Sequence, residues 1–503
     1  MPRTRPQVAV LAIILVSYFM ILLDNSVIFT GLPSIRTDLG LSVSGLSWVQ
    51  DAYVLVFGGL LLLGARAGDL VGRRRLFVIG LAVFGAASLL IGLAPAGWWL
   101  IAARGLQGIG AAIVAPTSLA LITASFEGEA RSRAVAWYGA TAGIGASLGL
   151  LIGGALTTWI SWRAAFLVNV PIAIAMIIGA RAVLTETPRK RGRFDVVGAL
   201  CATAGMGGLV FGIIESGDAG WGSARVVGPI VAGLVLLAVL VANEARATQP
   251  IMPLHLFRSR DRSGAYAARM LYLGAMIGFF FYTTQYLQDA LGFSPLQAGL
   301  GFLPMSLVNF AVAMAIPRLG VRIGNGVLLA VGVAVTFLGM AWLSRVGVGD
   351  AYLSSVALPM VLLGVGQGLA FAPLTNAGIA GVAPADAGGA SGLVNTAHQL
   401  GTAFGLAVLA AVAVRSGADL SGPAAVTAHV RAALTGSSVM LAAGLLVVLV
   451  LIVPTGRSHR RRPVVAVDRS DAQVAASPPR EVLAVPGTTA TASWRGARRA
   501  WTS

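Results

Sequence analysis

The chain has 503 residues, of which 57% are hydrophobic and only 11% charged, and its mean hydropathy is +0.83. Length alone would suit about three soluble domains of roughly 150 residues each, but this composition excludes a soluble protein and describes an integral membrane one. The net charge of +17 does not imply nucleic acid either: 35 of the 36 basic residues are Arg, spread in short clusters between apolar runs rather than gathered in one patch.

A membrane-crossing helix needs about 20 mostly apolar residues. Apolar runs between Gly, Pro and charge breaks predict fourteen spans, near residues 8–31, 47–68, 76–95, 98–123, 133–158, 163–184, 196–214, 226–245, 264–288, 295–317, 325–344, 352–378, 389–413 and 434–454. The start of the first run has the look of a signal-peptide core, but Asp24 and Asn25 stand where small residues should mark cleavage, so the span is expected to be retained. An even number of spans puts both termini on one side. That side carries eighteen Arg/Lys in its loops and N terminus against six opposite, which makes both termini cytoplasmic.

Two basic links, at 185–195 (TETPRKRGRFD) and 246–262, divide the spans as 6 + 2 + 6. The expected domains are 1–184, a six-helix bundle; 185–262, basic linkers with two additional helices; 263–454, a second six-helix bundle; and 455–503, a disordered basic cytoplasmic tail. Ala115-Pro116-Thr117 in the fourth span is echoed by Ala372-Pro373-Leu374-Thr375 in the twelfth, each with a Gln-Gly pair upstream. Such echoes suit the parallel six-helix repeats of some transporters.

Taken in chain order, the first chemistry-bearing groups are Asp24 and Asp51, carboxylates in the first and second spans. GARAGDLVGRRRLF (64–77) then joins two helices through a turn at Gly72, where Asp69 can pair with Arg73 or sit near the positive N-terminal end of a neighbouring helix and so latch one conformer of a rocking bundle. The fourth span, LIAARGLQGIGAAIVAP (100–116), contains Arg104 followed by Gln107 and Gly108. An ionisable side chain near a bilayer centre costs roughly 2.5–3.5 kcal/mol on insertion scales, so one that persists faces a polar interior or a counter-charge; Asp51 is the expected partner. A carboxylate in a low-dielectric cleft takes up a proton more readily, and a nearby Arg opposes this, so a moving Arg104 can switch an acid. Plain helix packing accounts for the glycines of the fifth span, among them Gly145, Gly149, Gly153 and Gly154.

The lone cysteine, Cys201, excludes an internal disulfide or a Cys-based metal site. In the ninth span, Tyr282, Gln285 and Tyr286 share one helical face, an aromatic and amide surface suited to amphipathic organic compounds. Asn309, Phe371, Asn376, Asn395 and His398 are candidates to complete that lining.

LDNSVIFTGLP (23–33), GARAGDLVGRRR (64–75), LIAARGLQGIGAA (100–112), GASLGLLIGG (145–154) and SWRAAFLVNVP (161–171) together resemble the signature motifs of the major facilitator superfamily. With two extra central helices the chain is similar to its fourteen-span drug:proton antiporter branch, the EmrB/QacA type. The Arg-for-Lys bias with abundant Ala, Gly and Val suggests a high-G+C genome such as an actinomycete's, and the chain resembles the antibiotic self-resistance exporters of producing actinomycetes. The resemblance implies an all-α integral membrane protein with the major facilitator fold, fourteen transmembrane helices as 6 + 2 + 6 and cytoplasmic termini. It implies proton coupling through Asp24, Asp51 and Arg104; on electrostatic grounds Asp51 is favoured as the principal carrier and Asp24 as a carrier or a cation-binding group. Asp69, Gly72, Arg73, Gln107, Gly108, Gly145, Gly149, Gly153 and Gly154 then belong to conformational motifs. Two departures stand out: Leu150 replaces the antiporter motif's Pro, and Ala65 and Leu70 replace the loop motif's leading Gly and later Arg.

The expected activity is export of amphipathic, often cationic, drugs in exchange for protons, by a multi-pass plasma-membrane protein acting as a monomer, with the lipid bilayer, protons and a small-molecule drug as its partners. No cofactor, metal or nucleic acid is expected. The alternative within transport is a uniporter or metabolite importer. An enzyme would need clustered ligands or a nucleophile and base, which four scattered His and one Cys do not provide; a sensor would normally carry a folded soluble domain. With no Walker-type phosphate loop in the sequence, the proton gradient rather than ATP is the expected driving force.

Overall fold

A backbone in hydrocarbon must satisfy its own N–H and C=O groups, so the apolar runs fold as helices. In the structure, a computed structural model, residues 5–189, 195–247, 252–383, 386–417 and 419–454 are described, without the side chains at 5, 6, 142–144, 146, 147, 218 and 321. The expected tail at 455–503 and part of each basic link lie outside the described residues.

The first helices are α1 (Arg5–Leu39), α2 (Val43–Val71), α3 (Arg73–Gly92), α4 (Gly97–Ser125) and α5 (Gly128–Trp159), then α6 (Trp162–Leu167) and α7 (Asn169–Val183), which together make the predicted sixth span. Two helices follow, α8 (Val196–Ala219) and α9 (Ala224–Arg246). The remainder are α10 (Arg260–Gln285), α11 (Pro295–Gly301) and α12 (Leu303–Ile323), α13 (Asn325–Leu343), α14 (Leu358–Ile379), α15 (Ala387–Arg415) and α16 (Gly422–Val447). Short π-helical stretches at Tyr286–Ala290 and Val448–Ile452 prolong α10 and α16, and one at Leu353–Ala357 leads into α14.

Local chemistry sets several ends. Ser42, Ser161, Asp195, Ser223 and Ser259 each accept a backbone N–H from the first turn of the helix that follows, satisfying a donor that the helix leaves open. Ser294 and Gln297 form a capping box at α11. Thirteen helices among the described residues are long and apolar enough to cross a membrane. Within the 32-residue α5, the apolar stretch among described residues is the shorter Leu148–Trp159.

Packing repeats along the chain. In the first set of helices α1 lies on α5, and α2 and α3 lie on α4; in the later set α10 lies on α15, and α12 and α13 lie on α14. The two sets meet where α2 runs along α15 and α5 meets α11, while α8 and α9 pair with each other and α8 leans on α2 and α15. This repeat gives the weak sequence echoes a spatial counterpart: Pro116 and Pro373 occupy α4 and α14, which hold matching places in the two sets.

Candidate functional site

Five helices of the first set converge on one buried polar network. Asp24 (α1), Gln50 (α2), Ser88 (α3), Arg104 and Gln107 (α4) and Asn169 (α7) are all inaccessible to solvent. Arg104 Nη1 donates to Asp24 Oδ2 at 2.8 Å and to Gln107 Oε1 at 2.6 Å, and its Nε donates to the Val49 carbonyl at 3.0 Å. The other oxygen, Asp24 Oδ1, accepts from Gln107 Nε2 at 2.8 Å and Asn169 Nδ2 at 2.7 Å. Gln107 also donates to Ser88 Oγ at 2.9 Å, and Gln50 Nε2 reaches Asn25 Oδ1 at 3.0 Å. The guanidinium lies 4.2 Å from the Tyr53 ring centroid, a cation–π contact.

The expected pairing of Arg104 with Asp51 is corrected: its carboxylate partner is Asp24. Gln50 turns toward Arg104, with Oε1 accepting from Nη2 at 3.4 Å, and the next residue on a helix points about 100° away. Asp51 is fully buried, and neither of its oxygens has a hydrogen-bond partner among the described residues. It shares a face of α2 with Gly58 seven residues on. A Cβ at Gly58 would meet Gln399 of α15 at 2.5 Å, so this face looks toward the later helices. Tyr282 of α10 is an ionisable group within electrostatic range of Asp51, and its hydroxyl is also without a partner among the described residues.

At the turn between α2 and α3, Arg73 Nη2 donates to Asp69 Oδ1 at 2.9 Å and Nη1 to the Ala120 carbonyl at 2.9 Å. Gly72 has φ +108°, and a Cβ there would fall 2.7 Å from the Glu186 carboxylate, so both backbone and space demand glycine. That carboxylate accepts from the backbone N–H groups of Arg74 and Arg75, neutralising the positive end of α3. Glu186 lies in the link read as merely basic, so its capping of α3 escaped the sequence reading.

Gly145, Gly149 and Gly153 line the face of α5 against α1: added Cβ atoms would meet Leu22 at 2.8 Å, Ser26 at 2.6 Å and Thr30 at 2.8 Å. Gly154 instead faces Pro295 of α11, and Gly299 of α11 approaches the carbonyl of Leu150. Gly108 brings α4 against the Tyr53 carbonyl of α2. The glycines thus serve close helix approach, two of them where the two sets of helices meet.

The predicted substrate residues separate. Tyr286 is buried and donates to the Gly347 carbonyl at 2.6 Å, while buried Gln285 bonds the Phe281 carbonyl within its own helix. Asn309 lies where α12 packs on Gly364 and Gly368 of α14. Phe371, Asn376 and Asn395 are exposed and His398 partly so, and of these Phe371 and His398 come together, with ring centroids 6.3 Å apart.

One residue that the sequence reading missed joins them. Arg269 of α10 is 3% exposed, donates to Thr375 Oγ1 at 2.8 Å and to His398 Nδ1 at 3.3 Å, and lies 4.9 Å from the Phe371 ring centroid. A lone Arg inside the ninth apolar run is the same signal that marked Arg104. It was overlooked because the charge comparison counted loops only.

Long apolar helices, a repeated packing plan and buried charges at their centre define a membrane transporter of the helical-repeat class. The Major Facilitator Superfamily model matches residues 14–406. The chain is 41% identical to the cephamycin export protein of Amycolatopsis lactamdurans over 88% of its own length and 92% of the relative's. It is 38% identical to the puromycin resistance protein of Streptomyces alboniger, over 79% and 80% of the two chains. A solved bacterial homolog of the human lysosomal transporter Spinster, in an inward-facing and occupied conformation, shares the fold, with a TM-score of 0.64, 14% identity and coverage of 89% and 97%. The chain belongs to the major facilitator superfamily, as a multi-pass protein of the cell membrane.

Proposed function

We propose that the chain exports an amphipathic antibiotic from the cytoplasm in exchange for protons. The export and resistance named for the cephamycin and puromycin relatives support the direction and the cargo class. The observation that carries the coupling is Asp51, a fully buried carboxylate without a donor among the described residues. An isolated buried ion is costly, so such a group takes up a proton as its surroundings close and releases it as they open. Asp24, held by Arg104, Gln107 and Asn169, is the second acid of the pathway. Arg104 switches it by leaving or rejoining the pair.

In this reading α5 is the fourteenth crossing, and the helices divide as 6 + 2 + 6 with both termini cytoplasmic. The domains are 1–184, 185–262 and 263–454, with the tail at 455–503 beyond them. The protein acts as a monomer, and its two six-helix bundles rock about a central cavity lined from the later bundle by Phe371, Asn376, Asn395 and His398. Asp69, Gly72 and Arg73 hold one conformer, and the α5 glycines let the helices slide. The test is expression in a drug-sensitive host against an antibiotic panel, wild type beside Asp51→Asn, Asp24→Asn and Arg104→Ala, with uptake into inverted vesicles before and after collapse of the pH gradient. Resistance lost in the variants and uptake lost with the gradient are expected; uptake that survives the collapse would refute proton coupling.

A further inference from the structure

We propose that Arg269, together with Thr375 and His398, forms a subsite for the carboxylate of an amphipathic organic acid, with Phe371 against the acid's apolar body. The proposal rests on the export reading and narrows its cargo. The resemblance implied cationic cargo as the frequent case; Arg269 supplies a site of the complementary sign.

Charge balance is the first argument. Residues 263–454 contain four acids, Asp289, Asp350, Asp386 and Asp419, and no Glu. Asp289 pairs with Arg36, Asp350 caps the turn at Gly347 and Asp386 meets His255, while Asp419 lies in the turn between α15 and α16. None of the four forms an ion pair with Arg269. A guanidinium buried to this degree without a counter-charge among the described residues destabilises the resting protein, and a bound anion recovers that cost.

Donor geometry is the second argument. The side chain does not snorkel to the α10 terminus, because its Nη groups reach across to α14 and α15. Guanidinium has no acceptor, so His398 Nδ1 accepts and its ring proton resides on Nε2, which leaves the imidazole neutral and aims the guanidinium. Arg269 Nε, although buried, has no partner among the described residues. An Nε–H beside an Nη–H is the planar fork that takes a carboxylate through two parallel hydrogen bonds. Thr375 spends its own proton on the Phe371 carbonyl at 3.0 Å, which fixes its oxygen as the acceptor that aims the guanidinium.

Access is the third. Phe371 covers the guanidinium and is itself 37% exposed, so rotation of this ring uncovers the fork while keeping an aromatic face for the ligand. Asn376 and Asn395 are exposed on the same two helices that supply Thr375 and His398.

The experiment measures binding of dansyl-phenylalanine and of its methyl ester to the full-length protein in phosphatidylcholine nanodiscs, which contain no anionic lipid, by fluorescence anisotropy. The wild type is expected to bind the acid about tenfold tighter than the ester, equivalent to about 1.4 kcal/mol. Arg269→Gln should bring the two affinities within about threefold, about 0.65 kcal/mol on the same scale, by weakening the acid alone. Arg269→Lys, which keeps the charge and loses the fork, should fall between. Unchanged ester binding reports that each variant is folded. An acid preference that persists in Arg269→Gln, or no preference in the wild type, overturns the subsite. The antibiotic panel tests export separately, so either reading can fail while the other stands.

Discussion

Arg104 and Arg269 are both arginines buried inside an apolar helix, yet their surroundings differ in kind. Arg104 meets a carboxylate at 2.8 Å and that carboxylate is saturated by amides. Arg269 meets a hydroxyl, an imidazole and an aromatic ring. The first is a closed neutral unit, and the second is a net positive charge with donor capacity to spare. A buried arginine by itself therefore does not define a role; the charge balance around it does. The two are not equivalents in the internal repeat either, since one is on α4 and the other on α10, the counterpart of α1.

The comparison breaks most sharply at the partner. Asp24→Leu leaves Arg104 buried and unpaired and should cost about 3–5 kcal/mol, whereas Arg269→Gln removes a buried charge that has no counter-ion among the described residues and should leave stability unchanged or raise it. Thermal unfolding of the detergent-purified proteins measures both, and equal losses would end the distinction. Adding Arg104→Met to Asp24→Leu should recover most of the loss.

Asp51 extends the same logic to acids. Asp51→Asn should lower efflux in energised vesicles at least tenfold, about 1.4 kcal/mol in the rate-limiting step, without lowering the unfolding midpoint, because no hydrogen bond to either oxygen is present among the described residues. A midpoint that falls as far as in Asp24→Leu would show that Asp51 also has a structural partner.

Glycine packing gives an effect of intermediate size. Gly149→Ala sets a Cβ 2.6 Å from Ser26 and should cost about 1–3 kcal/mol through overpacking. Gly139→Ala on the same helix meets nothing within 4 Å and should stabilise by about 0.4–1 kcal/mol; chemical unfolding distinguishes them. The smallest effect belongs to Arg36–Asp289, a partly exposed pair. Asp289→Asn should cost only about 0.2–1 kcal/mol, less at high salt, as read by unfolding midpoints in low and high salt.

Much of the architecture was legible because the bilayer imposes a one-dimensional rule: runs of sufficient apolar length must be helices. The broken sixth span is the clearest exception, since the chain's division at Val168 into α6 and α7 leaves hydropathy almost unchanged. The site was legible in part. Asp24, Arg104 and Gln107 were singled out as polar groups in apolar runs, and they meet; Tyr286 was singled out as part of an aromatic and amide face, and its hydroxyl is spent on Gly347. Asn169 and Ser88 gave no signal, since small polar residues are common in membrane helices and only their convergence on Asp24 and Gln107 distinguishes them.

By itself the sequence determined that this chain is a helical membrane protein, where most of its long apolar helices fall and which few residues carry charge into them, because burying an ion in hydrocarbon is costly enough to stand out in one dimension. Tertiary structure alone decided that Arg104 is neutralised by Asp24 rather than Asp51, and that no acid among the described residues neutralises Arg269. Partners are chosen by the direction in which each side chain leaves its helix, which turns by about 100° per residue, and by which other helices pack against that face.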